Sequence, residues 1–299
     1  MTGRPVRTAG FPARLDPGSG SALRPPAHEV LRPQRPVREA ALEADQRQLP
    51  TGVGLDSQAV RLRMVQRLRA LGVTHEAVLA AMAEVPRHLF VDTALAPQAY
   101  EDTSLPIGYG QTISKPVVVA RMLQLLCERT GAAATHPLGR VLEVGTGCGY
   151  QAAVLARLAR RVVSIERVEA LHRKARKHLD ATGVRDVRLV YGDGRVGHAP
   201  LAPYDTVIAA AGGDDIPPVW LEQLALGGRL VAPMHSAAHG GQVLVVVDRE
   251  EQGLRRSMHG GVNFVPLESG VSRENAGSSP GLSIATGGGL GAAGPWGRS

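Results

Sequence analysis

The stretch that decides the fold is Arg140-Val141-Leu142-Glu143-Val144-Gly145-Thr146-Gly147-Cys148-Gly149-Tyr150. A short apolar run ends at Val144, a glycine-rich loop follows, and an amphipathic segment starts near Tyr150. Strand, loop and helix in that order bring backbone amides close to a nucleotide-like ligand. Glycine is needed because a Cβ would hold the ligand away from the chain. The dinucleotide fingerprint G-x-G-x-x-G/A is met by Gly145 and Gly147, but its third position is Tyr150. The glycines run G-x-G-x-G instead, with Gly149 one residue early and Glu143 just ahead of the loop. That pattern suits a cofactor carrying a sulfonium and an amino acid rather than a pyrophosphate.

Outward from this unit, short apolar runs alternate with amphipathic segments. Strands are predicted over 141–144, 162–165, 187–191, 206–210, 229–232 and 243–247, and helices over 150–158, 168–182 and 219–226. Alternation of this kind predicts an α/β fold, a doubly wound and mostly parallel sheet with right-handed crossovers. Glu166 ends the second strand, 21 residues after Gly145. A carboxylate there can accept both hydroxyls of a ribose, a reading that a nicotinamide dinucleotide would share. Gly192-Asp193-Gly194 closes the third strand, where Asp193 can meet an adenine amino group and the glycines permit close approach. A solvated turn is the bland alternative for one Asp-Gly pair; three acids at the ends of three successive strands argue for a site.

Upstream, Asp56 is placed to cap a helix through Val60, Met64, Leu68 and Leu71, ended by Gly72, and a second helix through Val78, Leu79 and Met82 stops before Pro86. Residues 1–55 are rich in Pro, Arg, Ala and Gly without periodicity, and 271–299 in Gly and Ser. Both are expected to be disordered extensions flanking one domain over 56–270. The net charge is +7, but arginines interleaved with prolines in residues 1–50 supply much of it. Aromatics make up 3% of the chain, too few to form the stacking platforms of a single-strand binder, so no specific nucleic-acid partner is expected. No apolar run is long enough to span a bilayer and no secretory h-region opens the chain, which points to a cytoplasmic protein without membrane contact. The two cysteines, Cys127 and Cys148, lack metal-ligand spacing, so no metal is expected. Cys148 reads as a small packing residue, His172 and His178 as solvated, and Arg173, Lys174, Arg176 and Lys177 as the exposed face of their helix.

Several ordered blocks belong together: Val85-Pro86-Arg87-His88-Leu89-Phe90-Val91, the loop Leu105-Pro106-Ile107-Gly108-Tyr109-Gly110-Gln111-Thr112-Ile113-Ser114, the stretch 141–150, Tyr191-Gly192-Asp193-Gly194, Leu226-Gly227-Gly228-Arg229-Leu230-Val231 and Phe264-Val265-Pro266-Leu267. Together they resemble the protein-L-isoaspartate O-methyltransferase family across nearly all of the expected domain and neither extension. The resemblance implies a Rossmann-like class I methyltransferase fold with added N-terminal helices. It also implies methyl transfer from S-adenosylmethionine to the α-carboxylate of L-isoaspartyl residues in damaged proteins, by a monomer. The ester then closes to a succinimide. By the same resemblance Ser114 is the active-site residue and Thr112 and Ile113 shape the pocket beside the sulfonium. Glu143, Gly145, Thr146, Gly147, Gly149, Glu166, Asp193 and Gly194 hold the cofactor.

So sparse a site suits the chemistry. A carboxylate is already ionised at neutral pH and needs no general base. Stripping water from it and aligning it with the methyl group supplies most of the acceleration. Ser114 is then a hydrogen-bonding positioner, and no G-x-S-x-G elbow surrounds it. The chain departs from the family pattern at Lys115-Pro116-Val117-Val118-Val119 and at Asn263, where an Arg is expected. Other readings stay open on residues alone: methylation of RNA or a small molecule, a non-catalytic binding module, and, disfavoured by Tyr150, a nicotinamide oxidoreductase.

Overall fold

The computed structural model of the protein describes residues 58–129 and 131–273, all within one unit spanning Gln48–Ser299. Asp56, the expected helix cap, and the extension 1–55 lie outside the described residues. Helix α1 (Gln58–Ala70) buries Met64, Val65 and Leu68, and Gly72 ends the turn beyond it at φ 92°. Helix α2 (Glu76–Glu84) buries Val78, Leu79, Ala81 and Met82. It stops where Val85, restricted by Pro86, turns extended.

The loop expected at 105–114 is a hairpin, β1 (Leu105–Gly108) paired antiparallel with β2 (Gln111–Ile113). Leu105, Ile107 and Ile113 face inward while Pro106 points out, where its missing N–H is harmless. Gly108, Tyr109 and Gly110 all take positive φ to make the turn. Strands this short carry too few alternations to register as a period. Helix α3 (Pro116–Cys127) follows at once and buries Val119, Ala120, Leu123 and Leu126.

The main sheet then forms from β3 (Arg140–Val144), β4 (Arg161–Glu166), β5 (Val187–Tyr191), β6 (Tyr204–Ala209), β7 (Leu224–Ser236), β8 (Gly241–Glu250) and β9 (Gly253–Val262), in the order β5-β4-β3-β6-β7-β8-β9. Strands β3 to β7 pair in parallel, and β8 and β9 add antiparallel hairpin partners. Helices α4 (Tyr150–Leu158) and α5 (Glu169–Ala181) cross between the first strands, and the short α6 (Pro218–Glu222) precedes β7. Val141, Leu142, Glu143 and Val144 are all buried, as a central strand covered on both faces requires. One apolar cluster joins α1 to α5 with one face of the sheet; the other gathers Leu142, Val207, Trp220 and Leu230 on the opposite face. Each large aliphatic side chain removed from water there contributes about 1.5–3 kcal/mol.

Three segments differ from the sequence expectation. The helix expected to reach 226 ends at Glu222, because Leu224 already pairs with Tyr204 as the start of β7. Strand β9 was not anticipated. It is an edge strand whose side chains are mostly exposed, so no apolar alternation marks it. At the other end, Ser272, expected in the flexible tail, bridges Val168 and donates its N–H to the Arg167 carbonyl.

Candidate active site

Strand order runs outward from β3 in both directions: β4 and β5 to one side, β6 and β7 to the other. The C-terminal ends of β3 and its neighbours therefore diverge into a crevice, the usual ligand position of an open α/β sheet. A cleft opens there. The glycine loop forms one part of its wall, with Gly145, Thr146 and Gly147 exposed to it, and the hairpin brings Thr112, Ile113 and Ser114 to the same space. Ile107 on the hairpin would lie 3.2 Å from a Cβ at Gly147, so the two loops are packed directly together.

The loop is anchored before any ligand is considered. Gly145 and Thr146 both donate their N–H to the Ile165 carbonyl, at 2.9 and 3.2 Å. Gly145, Gly147 and Gly149 hold φ of 93°, 57° and 91°, which side chains resist. Glu166 straddles the next junction. Its Oε2 accepts from Gly147 N–H and its Oε1 from Val168 N–H, each at 2.8 Å. Burial raises its pKa, against those hydrogen bonds. Each carboxylate oxygen keeps a second lone pair, and Glu166 lines the cleft, so a diol can be accepted on top of the amides.

Of the acids expected to hold a cofactor, Glu166 lies on the cleft wall and Glu143 and Asp193 do not. Glu143 is fully buried beneath the loop. Gln151 donates to its Oε1 at 3.0 Å, and Ser164 bonds its Oε2 at 2.5 Å while also meeting Thr146 Oγ1 at 2.5 Å. Burial pushes the Glu143 carboxyl up to about 8, so it is mostly protonated at neutral pH. It braces the underside of the loop rather than facing the cleft. Asp193 spends both oxygens on backbone amides, Arg195 N–H at 2.8 Å and Gly270 N–H at 2.6 Å. It thereby positions Gly194, which does line the cleft and whose carbonyl accepts the Trp220 indole N–H at 2.9 Å. A Cβ on Gly194 would come within 2.5 Å of Val144. Gly149 also stays off the wall; it opens α4 and packs on Ala175.

A second wall was legible only as a block of sequence without a role. Val265, Pro266 and Leu267 line the cleft because the segment is strapped to the loop after β6 and to β8. Gly212 N–H bonds the Val265 carbonyl and Leu267 N–H the Gly212 carbonyl, while Gln242 holds both backbone groups of Phe264. Arg167 pairs with Glu268 and donates to the Gly270 carbonyl. Ala210 and Ala211, at the end of β6, complete the floor. The small residues after a strand were the available signal for these, since a larger side chain would fill the space.

Two surface readings need correction. His178 is buried, with Nδ1 donating to the Cys148 carbonyl at 2.9 Å and its ring edge-on to Phe90, because it falls on the apolar stripe of α5. Burial holds its pKa below the ordinary imidazole value. Lys174 is not simply solvated either: it pairs with Asp92 and donates to the Ile107 carbonyl, tying α5 to the hairpin. Cys148 is buried and its thiol is pushed up by desolvation, consistent with packing. Among the described residues no group of three or more His, Cys, Asp or Glu side chains could hold a metal ion, and no helix is long and apolar enough to cross a membrane.

Comparison with known proteins agrees with this geometry. A family model described as Protein-L-isoaspartate(D-aspartate) O-methyltransferase (PCMT) matches residues 59–272. The Protein-L-isoaspartate O-methyltransferase of Methylibium petroleiphilum is 61% identical over 265 residues, covering 87% of this chain and 96% of the relative. That of Leptothrix cholodnii is 62% identical over 242 residues, covering 81% and 84%. A solved protein-L-isoaspartate O-methyltransferase superposes with a TM-score of 0.61 at 26% identity, over 71% of this chain and 67% of its own. A beta-aspartate methyltransferase (PCMT) from Plasmodium falciparum, solved with S-adenosyl-L-homocysteine, has a TM-score of 0.59 over 70% of this chain and 98% of its own. At 21% identity that structure speaks for the fold alone. The sheet expected from the glycine loop is thus the sheet of these structures, and on the family match and the identities the chain belongs to the protein-L-isoaspartate O-methyltransferase family.

Proposed function

We propose that the protein methylates the α-carboxylate of L-isoaspartyl residues in damaged proteins, using S-adenosylmethionine, and that the cleft at the end of β3 is where it does so. The observation that carries this reading is the meeting of two loops in one space: the glycine loop with Glu166 beneath it, and the hairpin end that carries Ser114. The residues present fit the cofactor. Glu166 has spare acceptor positions for the ribose hydroxyls, and Gly145, Gly147 and Gly194 line the cleft without side chains. S-adenosylmethionine supplies the electrophilic methyl group on its sulfonium.

The chain's own residues then have three tasks. Gly145, Thr146 and Gly147 present backbone at close range, with Glu166 fixing the ribose. Ser114, half-buried at the end of the hairpin, donates its hydroxyl to the isoaspartyl carboxylate and orients one oxygen for in-line attack. The apolar strap of Val265, Pro266 and Leu267, with Ile113, excludes water and so strengthens the nucleophile. No proton is transferred in the methylation, and accordingly the cleft needs no base. Thr112 and Ile113 flank the reacting centre. Glu143, Gly149 and Asp193 serve the cofactor indirectly, by bracing the loops that touch it.

The test is transfer of labelled methyl to an L-isoaspartyl peptide beside its aspartyl twin. Base-labile label on the isoaspartyl peptide alone is expected, falling about 10- to 100-fold in Ser114→Ala through lost orientation; label on both peptides or on neither sinks the reading. The catalytic domain is taken to be 56–270, so a chain lacking residues 1–55 should label at the full rate. The reading includes a cytoplasmic monomer without nucleic acid, for which sedimentation at 31.5 kDa is the check on assembly.

A further inference from the structure

We infer that Arg87 is a positioning residue for methyl transfer, its buried guanidinium fixing the Ser114 peptide against the helix that opens behind the glycine loop. The inference rests on the reading of Ser114 given above. Arg87 begins a short 3-10 turn (Arg87–Phe90) and is 0% exposed. Its Nε donates to the Ala99 carbonyl and its Nη2 to the Ser114 carbonyl, both at 2.7 Å. Its central carbon lies 4.7 Å from the centroid of the Tyr150 ring. Tyr150 is the first residue of α4, directly after Gly149. Among the described residues no carboxylate forms an ion pair with Arg87.

A buried cation without a counter-ion is a costly way to fill space. An apolar side chain of similar volume is often neutral or stabilising at such a position. What a guanidinium does that Met or Leu cannot is to donate to two carbonyls at once while packing against an aromatic ring. One of those carbonyls belongs to Ser114, which sits past the last residue of β2 and ahead of α3. The first turn of α3 is satisfied elsewhere: Val117 N–H bonds Asp102, and Val118 and Val119 N–H bond the Lys115 carbonyl. Arg87 therefore joins the hairpin end to the far side of the glycine loop through one side chain, and it does so without lining the cleft. In-line transfer loses rate steeply when the reacting partners are displaced by about 1 Å, so the carbonyl it holds bears on catalysis through Ser114.

The test compares the full-length protein with Arg87→Lys and Arg87→Met. Four readouts are taken: kcat and KM on the isoaspartyl peptide, affinity for S-adenosylhomocysteine by calorimetry, Tm, and amide hydrogen exchange over residues 111–118. Lys keeps the buried charge and protects the fold but reaches one carbonyl rather than two. Its kcat is expected to fall about 10- to 100-fold, with cofactor affinity near the original and faster exchange in 111–118. Met should lose more kcat, and if it fails to fold, Lys decides alone. A purely structural Arg87 would lower Tm and leave kcat per folded molecule within about twofold of the original. That result, or unchanged exchange over 111–118, overturns the inference. If the unsubstituted protein transfers no methyl at all, the proposed function fails, and exchange in Arg87→Lys still decides whether Arg87 holds the Ser114 segment.

Discussion

Glu143 and Glu166 sit near the ends of adjacent strands, and their surroundings give them different work. Glu166 meets two backbone amides and the cleft, whereas Glu143 meets a glutamine and a serine and no solvent. Glu143, pushed up to about 8, holds a proton in the folded protein that it releases near its ordinary value, about 4.3, when unfolded. Its stabilising contribution is therefore full below that lower value and is lost as pH rises toward 8. Glu143→Gln mimics the protonated form. It should change stability by under about 1 kcal/mol at neutral pH, and it should flatten the decline in Tm expected of the unsubstituted protein between pH 5 and 8; an equally steep decline in both would contradict the assignment. Glu166→Gln puts an amide group where backbone N–H groups point and removes the charge. Loss of about 1.5–3 kcal/mol of charge-assisted hydrogen bonding should weaken S-adenosylhomocysteine binding in calorimetry by about 10- to 100-fold with the fold retained; unchanged affinity would remove Glu166 from the ribose site. At this scale the sequence told which acids end strands but not which way they face. That depends on Ser164 and Gln151 reaching Glu143 from another strand and another helix, and on Gly270 arriving at Asp193 from 77 residues away.

The glycine loop was readable in advance because its demands are local. Gly149 at φ 91° starts α4 and would bring a Cβ to 3.3 Å from Ala175. Gly149→Ala should cost about 1–2 kcal/mol for the left-handed backbone alone, seen as a Tm lower by about 2–8 °C; a Tm unchanged within error would mean that the loop relaxes freely. The hairpin and the strap were harder to see. Strands β1 and β2 are of 4 and 3 residues, and segment 264–268 earns its place through Gly212 and Gln242, contacts that no periodicity encodes. His178 was misplaced for a related reason: an apolar stripe of Ala170, Leu171, Ala175 and Leu179 runs through an otherwise basic helix, and His178 shares it.

Across the molecule, the parallel strands β3 to β7 and the switch of strand order beside β3 locate the cleft; the parallel pairing was contained in the alternating pattern from Arg140 onward, whereas the strand order was not. The antiparallel end of the sheet was only partly legible. There Arg229 binds Asp248 at 2.6 Å and Arg255 binds the same carboxylate, pairing much of the local charge across β7, β8 and β9. The positive balance of the whole chain is thus a poor guide to a partner in this region. In the proposed function one cleft joins the glycine loop, Glu166 and Ser114 into a methyl-transfer site. The most direct measurement is a crystal structure with S-adenosylhomocysteine bound. The expected result is the ribose on Glu166, backbone of Gly145 to Gly147 against the ligand, and the sulfur facing the Ser114 side of the cleft. A ligand seated elsewhere, or seated here with its sulfur turned away from Ser114, would contradict it.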